Sequence, residues 1–110
     1  MTNSKIYSLL GLAQRAGKIA SGEFMTEQSV KAGKAVLIIV AEDASANTKK
    51  NFTDMSAYYK VPIIIFGSKS ELGHALGKEI RASLALTDSG FAGTIQKQLL
   101  NTSNQQEVLK

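Results

Sequence analysis

The segment SGEFMTEQSVKAGKAVLIIVAEDAS (Ser21–Ser45) decides the fold class of this 110-residue chain. Its first half lies between Gly22 and Gly33 and carries apolar residues at helical spacing, which predicts a helix. Its second half contains AVLIIVA, an uninterrupted apolar run rich in β-branched residues, as is typical of a strand covered on both faces. A helix that leads directly into a buried strand indicates an α/β protein.

The same alternation continues on both sides of this segment. VPIIIFG is a second buried strand, KIASG and RASLALTD are shorter strand candidates, and helical patterns lie between them. This order predicts a three-layer α/β/α domain with a sheet of about four strands. We expect one domain over residues 1–100, followed by a polar tail at 101–110 that frays.

The chain is basic, with a net charge of +4 and a pI of about 9.4. The excess is concentrated in residues 1–34, which hold five basic and two acidic side chains. An uneven basic charge on a small domain favours an anionic partner, most often nucleic acid. A basic surface without a partner is the alternative.

Several classes of protein are excluded or disfavoured by composition. The chain has no cysteine, so disulfides and thiolate metal sites are excluded, and a reducing compartment is expected. Its apolar runs are far shorter than the roughly 20 residues that cross a bilayer. We therefore expect a soluble cytoplasmic protein that has no membrane partner.

Catalytic motifs are missing from the sequence. His74 is the only histidine and lies in a helical segment without a Ser-His-acid pattern. GLAQRAGK (11–18) has five residues between its glycines, whereas a phosphate loop needs four. The adjacent Glu42 and Asp43 could contribute to a metal site, but capping of the next helix by Asp43 or Ser45 is the favoured interpretation. We expect no enzyme activity, cofactor or metal.

Two large apolar residues, Phe24 and Met25, occupy the first turn of the helix that Gly22 opens. On a helical wheel Met25 joins a small apolar side, so packing at the edge of the core can partly explain it. Phe24 falls on the polar face. It either folds back on a neighbouring loop or on the first helix, or it offers an exposed ring to a base or a partner.

Three stretches together resemble a known family: the opening segment, YYKVPIIIFGSKSELGHALGKE (58–79) and RASLALTDSGFA (81–92). AEDAS paired with SKSELGHALG is their most specific feature. The chain resembles the ribosomal L7Ae/L30e family of kink-turn RNA-binding proteins, in particular its bacterial YlxQ-type branch. The resemblance covers residues 4–93 and implies an α/β/α sandwich with a mixed four-stranded sheet and helices on both faces. It also implies a ribosome-associated protein that binds structured RNA, not DNA, without catalysis.

The family's recognition helix carries an Asn-Glu-x-x-Lys motif, and here all three positions differ. The spacing from Gly22 to Gly33 puts Phe24 at the Asn position, Met25 at the Glu position and Gln28 at the Lys position. Neither Phe nor Met can accept the N–H groups of guanine, and Gln carries no charge for phosphate. Each lost contact costs about 1–3 kcal/mol of discrimination, by analogy with base readout in DNA. We therefore expect the loss of several such contacts to abolish most of the selectivity for kink-turns.

The resemblance nevertheless predicts an RNA-contact surface. Its residues are Gly22, Glu23, Phe24, Met25, Gln28, Lys31, Lys34, Glu42, Asp43, Ala82, Ser83 and Leu84. The last three belong to an apolar loop that the family has before its last strand, here near Ile80–Leu84; core packing is the alternative for Leu84. A protein-interaction module that docks a partner on Phe24 and Met25 is the second functional hypothesis.

Overall fold

Five helices and four strands alternate along the chain in a computed structural model that describes the backbone of residues 2–109 and the side chains of residues 4–100. The helices are α1 (Thr2–Arg15), α2 (Glu23–Lys31), α3 (Ala46–Tyr59), α4 (Lys69–Ala75) and α5 (Ser89–Leu109). The strands are β1 (Ile19–Ser21), β2 (Leu37–Val40), β3 (Ile63–Ile65) and β4 (Ser83–Leu86).

The strands form one mixed sheet in the order β1-β4-β2-β3, which confirms the predicted fold class. β4 runs antiparallel to both of its neighbours, β1 and β2, and β2 runs parallel to β3. The carboxyl ends of β1, β2 and β3 therefore meet the amino end of β4 at one edge of the sheet, which we call the carboxyl edge. We call the opposite edge the amino edge.

Helices cover both faces of this sheet. α2 and α3 contact each other and pack on the sheet, and α1 contacts both α4 and α5 in the other layer. β2 and β4 are buried along their whole length, as expected for central strands between two helical layers. Fully buried side chains from both layers complete the core, among them Ile6, Phe52, Leu72 and Ile95.

The end of the last helix differs from the sequence prediction. The backbone of α5 continues to Leu109, although the predicted boundary between domain and tail lies at residue 100. Residues 101–109 contain neither glycine nor proline, so no residue there interrupts the helix. The side chains of 101–110 lie outside the described residues, and the fraying of this segment stays a prediction.

Long apolar helices are not a feature of the part of the chain that the structure describes. None of its helices combines the length and the apolar character that a membrane-spanning segment needs.

Candidate nucleic-acid interface

Gly22 joins β1 to α2 at the carboxyl edge. Its φ of 90° and ψ of 157° lie in a region that essentially only glycine adopts. The Gly22 amide donates to the Ser83 carbonyl over 2.9 Å, and the Gly22 carbonyl accepts the amide of Thr26 over 2.9 Å. None of the side chains that the structure describes caps the start of α2. The amides of its first turn can therefore bind an external anion.

Arg81 lies beside this open helix start. Its Nε donates to Ser21 Oγ over 3.0 Å, and Nη1 donates to the Ile80 carbonyl over 2.8 Å. A Cβ at position 22 would lie 3.9 Å from Arg81 Nε. Among residues 4–100, no carboxylate lies within 4.0 Å of the Arg81 guanidinium. α2 thus begins next to a fixed cation that no acidic side chain of residues 4–100 neutralises.

The loop that carries Arg81 is held against α4. Lys78 donates its amide to the Gly73 carbonyl over 2.8 Å, and Arg81 donates its amide to the Lys69 carbonyl over 3.0 Å. A Cβ at Gly73 would lie 2.6 Å from the Glu79 carbonyl oxygen, so only glycine permits this approach. The packing leaves Ile80 56% exposed immediately before Arg81.

Phe24 and Met25 both reach solvent. Phe24 is 69% exposed, so the structure supports the exposed alternative and not the one in which the ring folds back. Met25 is 52% exposed, and its other side lines a groove between α2 and β1 together with Gln28. Edge packing therefore explains only part of Met25. The outward face of α2 presents an aromatic ring, a thioether and an amide.

The two lysines of the predicted RNA-contact surface, Lys31 and Lys34, have different surroundings. Lys31 lies 3.8 Å from the carboxylate of Glu27, which also accepts the Asn51 side-chain amide over 2.8 Å. Lys34 follows Gly33, whose φ of 76° turns the chain after α2. Because α2 spans roughly 13 Å, Lys34 lies towards the amino edge and away from Gly22. The structure does not bring Lys34 to the carboxyl edge.

Of the two acidic residues after β2, Glu42 and Asp43, Asp43 has a structural role. Asp43 accepts the Lys69 amide over 2.8 Å at the start of α4, whereas Ser45 caps α3 by accepting the Thr48 amide over 3.1 Å. Of the two predicted caps for that helix, Ser45 is the correct one. Glu42 is exposed at the same edge. Within the described residues, no three His, Cys, Asp or Glu side chains are placed to hold a metal ion.

The loop before the last strand ends two residues earlier than expected. β4 begins at Ser83, so placing Ser83 and Leu84 in a loop was wrong. Both residues are 0% exposed, because two neighbouring strands and the helices of both layers enclose β4. Ala82 is half-buried, and its carbonyl accepts the Ala41 amide over 2.9 Å. Core packing, the alternative for Leu84, is correct.

Sequence reasoning did not choose Ile80 or Arg81 among the individual contact residues, although Ile80 is exposed and Arg81 is partly exposed. Ile80 and Arg81 lie within the predicted loop, but we selected the three residues that follow them. The signal was present as an arginine next to an isolated apolar residue, directly before a strand. The contact between Arg81 and Ser21 joins residues 60 apart, and no local pattern reveals it.

Comparisons with known proteins agree on one family. The model of the ribosomal protein L7Ae/L30e/S12e/Gadd45 family matches residues 4–95. A Bacillus subtilis (strain 168) relative described as RNA-binding protein YlxQ is 43% identical over 95 residues, which is 86% of this chain and 95% of that protein. An Enterococcus faecium relative with the same description is 43% identical over 88 residues, 80% of this chain and 84% of that protein.

Two solved structures share the fold. A Bacillus halodurans C protein of unknown function superposes with a TM-score of 0.82 at 35% identity, covering 86% of this chain and 95% of the other. The 15.5kD RNA binding protein of Giardia lamblia superposes with a TM-score of 0.77, covering 94% of this chain and 88% of the other. At 19% identity, the second likeness concerns the fold alone.

Proposed function

Because the chain belongs to the ribosomal protein L7Ae/L30e/S12e/Gadd45 family, we propose that it is an RNA-binding protein and not an enzyme. Its contact surface comprises Phe24, Met25 and Gln28 on the outward face of α2, together with Ile80 and Arg81. The B. subtilis and E. faecium relatives described as RNA-binding proteins support the class of partner.

One observation carries the assignment of the surface: the Arg81 guanidinium lies beside the uncapped start of α2. An RNA phosphate here would meet free backbone amides, the positive end of the helix dipole and a fixed cation. The bonds from Arg81 to Ser21 and Ile80 hold the guanidinium in place before RNA arrives. The loss of side-chain entropy at Arg81 on RNA binding is therefore small.

Exposed apolar groups flank this phosphate site. The Phe24 ring is 69% exposed on the first turn of α2, and Ile80 is 56% exposed on the loop next to Arg81. Unpaired bases in RNA stack on exposed aromatic side chains of this kind. A phosphate site with apolar groups beside it favours structured RNA that offers unstacked bases.

The proposed function does not include a preference for kink-turns over other structured RNA. Phe24, Met25 and Gln28 occupy the positions of the Asn-Glu-x-x-Lys motif, and Phe and Met have no groups that hydrogen-bond guanine. The protein then binds RNA through phosphate contacts and stacking, which are tolerant of sequence. The family's ribosomal proteins favour a ribosomal RNA partner in the cytoplasm.

A pair of titrations tests both parts of the proposal. A kink-turn RNA and an unrelated stem-loop of equal length are titrated by fluorescence anisotropy at moderate salt. We expect both to bind, with affinities within about threefold of each other, which is less than one base contact is worth. Binding of neither RNA contradicts the proposed function. A kink-turn preference of about tenfold or more contradicts the loss of selectivity only.

Association with the ribosome has its own test. Wild-type protein and the Arg81→Gln variant are sedimented with purified ribosomal subunits. We expect the wild type to pellet with a subunit and the variant to remain largely in the supernatant. Equal sedimentation of both proteins argues against this surface.

A protein-docking function is the second candidate, because Phe24 and Met25 form an exposed apolar pair next to Glu23. Such a pair is typical of the core of a small protein interface. An affinity purification with and without nuclease separates the two functions. Recovery of one defined protein after nuclease treatment, lost in Phe24→Ala, would favour docking over RNA binding.

A further inference from the structure

A groove with a volume of about 490 Å³ separates α2 from β1. Ser29 of α2 lines it, and this side chain is 7% exposed. Its Oγ has no hydrogen-bond partner among the residues that the structure describes. Buried hydroxyl groups are normally paired, because burying one without a partner is unfavourable. The Oγ is buried in this rotamer, so a ligand in the groove can supply the missing partner once the Ser29 side chain turns towards it.

The walls of the groove suit a flat, partly apolar ring. Ile19 and Ala20 contribute one wall from β1, and the half-exposed Met25 contributes to the other. Thioether side chains adapt to the faces of aromatic rings. The side-chain amide of Gln28 both donates and accepts hydrogen bonds, and a nucleobase edge presents the same combination.

A positive charge lies at one end of the groove. Lys34 lines it, and its backbone amide donates to the Ser29 carbonyl over 3.0 Å, which fixes the chain at this point. Within residues 4–100, no carboxylate lies within 4.0 Å of the Lys34 ammonium group. The ammonium is therefore available to a phosphate attached to the ring.

We propose that this groove holds one unstacked nucleotide of the bound RNA. Met25 and β1 enclose the base, Ser29 and Gln28 hydrogen-bond its edge, and Lys34 contacts its phosphate. The inference rests on the proposed function. Met25 and Gln28 belong both to the groove and to the outward face of α2, so an RNA strand on α2 passes the mouth of the groove. This continuity favours a nucleotide of RNA over a free nucleotide.

Direct titration of the groove does not depend on a known RNA target. Adenosine 5′-monophosphate, uridine 5′-monophosphate and ribose 5-phosphate are each added to the ¹⁵N-labelled protein, and amide chemical shifts are recorded. We expect the two nucleotides, but not ribose 5-phosphate, to shift the amides of Gly17, Ala20 and Ser29. No shift from either nucleotide, or equal shifts from ribose 5-phosphate, overturns the proposal.

A groove-filling variant gives a second test with RNA. Ala32 lines the groove and is exposed, so Ala32→Phe can occupy it without entering the core. Ala57→Phe places the same ring on an exposed position of α3 and serves as the control. We expect Ala32→Phe to weaken RNA binding about fivefold or more, as the loss of one stacked base would, and Ala57→Phe to bind like wild type.

Ser29→Ala and Lys34→Gln complete the test with minimal changes in volume. Both are expected to weaken RNA binding. Lys34→Gln should also reduce the slope of the logarithm of the binding constant against the logarithm of the salt concentration by the contribution of one phosphate, about 0.7–0.9. If Arg81→Gln weakens binding while the three groove variants bind like wild type, the groove proposal fails alone. If wild type binds no RNA, the proposed function fails, and nucleotide shifts without RNA binding identify a site for free nucleotides instead.

Discussion

Arg81 Nε donates to Ser21 Oγ over 3.0 Å and so ties the loop before β4 to the strand that leads into α2. The two segments that contribute to the proposed RNA surface are thereby joined by a side-chain bond between residues 60 apart in sequence. The guanidinium is held beside Gly22, whose backbone geometry leaves the start of α2 open.

Replacing Arg81 tests this relationship. Arg81→Gln is expected to lower RNA affinity by about tenfold or more and to reduce the salt slope by the share of one phosphate. Anisotropy titrations at several salt concentrations measure both quantities. The matched control is Lys97→Gln, which removes an exposed charge from α5 and should change neither. Equal salt slopes for Arg81→Gln and wild type would show that Arg81 contacts no phosphate.

Gly73 is the position where one methyl group should disturb the site. In Gly73→Ala the new Cβ would lie 2.6 Å from the Glu79 carbonyl oxygen, so α4 and the loop must separate. We expect the free energy of unfolding to fall by about 1–3 kcal/mol. RNA affinity should fall too, because the loop carries Arg81. Urea unfolding and anisotropy measure the two effects.

Gly93→Ala is the control for that substitution. Gly93 lies in α5, is exposed, and has no atom within 4 Å of an added Cβ. Alanine there should raise the free energy of unfolding by roughly 0.5–1 kcal/mol through helix propensity and leave RNA binding unchanged. A Gly73→Ala protein as stable as wild type would contradict the tight approach between α4 and the loop.

Restoring the motif should restore selectivity. The triple variant Phe24→Asn, Met25→Glu, Gln28→Lys changes three exposed positions of α2, so the fold should tolerate it. We expect a preference of about tenfold or more for a kink-turn RNA over the stem-loop, since each regained contact is worth about 1–3 kcal/mol. The single variant Phe24→Asn should show a smaller preference for the kink-turn RNA than the triple variant. Equal affinities of the triple variant for both RNAs would count against the motif comparison.

Tyr7 makes the stability of the domain sensitive to alkaline pH. Its hydroxyl donates to Glu71 Oε1 over 2.9 Å. Burial, the bond to Glu71 and the negative charges of Glu71 and Glu42 raise the pKa of Tyr7 well above its ordinary range. Because the folded state holds the proton more tightly, this stabilisation is complete below a pH of about 10, the pKa of an unfolded tyrosine, and declines above it.

Urea unfolding between pH 8 and pH 11 tests the contribution of Tyr7. The stability difference between wild type and Tyr7→Phe should be constant up to about pH 9 and shrink above pH 10, since only wild type has the Tyr7 proton to lose. Tyr58→Phe is the control because Tyr58 is 79% exposed. Parallel stability curves for wild type and Tyr7→Phe across the whole range would contradict the raised pKa.

The sequence was sufficient for the architecture because its strongest patterns coincide with the core. AVLIIVA predicted β2, which is buried at every position, and the alternation of elements predicted a layered α/β domain. The sequence patterns were less informative about β4. Its short pattern gives neither the start of the strand nor its direction, since hydropathy does not distinguish the two directions of a strand. The strand candidate RASLALTD did include Ser83 and Leu84, but the family resemblance placed both residues in the loop before the strand.

Prediction of the candidate surface was less complete. The helical wheel put Phe24 on the polar face, and the ring is exposed. Lys34 was grouped with Lys31 because the two lie close together in sequence, but the length of α2 carries the chain away from Gly22, so Lys34 lies towards the amino edge. Arg81 gains its position from Ser21 and Lys69, which are distant in sequence. Contacts of this kind form only when the chain folds.

The central position of β4 links the contact loop to the whole domain. β4 pairs with β1 on one side and with β2 on the other, and the loop with Arg81 leads directly into it. A ligand that holds this loop also holds the strand on which the sheet depends. By thermodynamic linkage, RNA binding at Arg81, as we propose it, is expected to raise the melting temperature of the entire domain and to slow amide hydrogen exchange in the middle of the sheet, far from the bound phosphate.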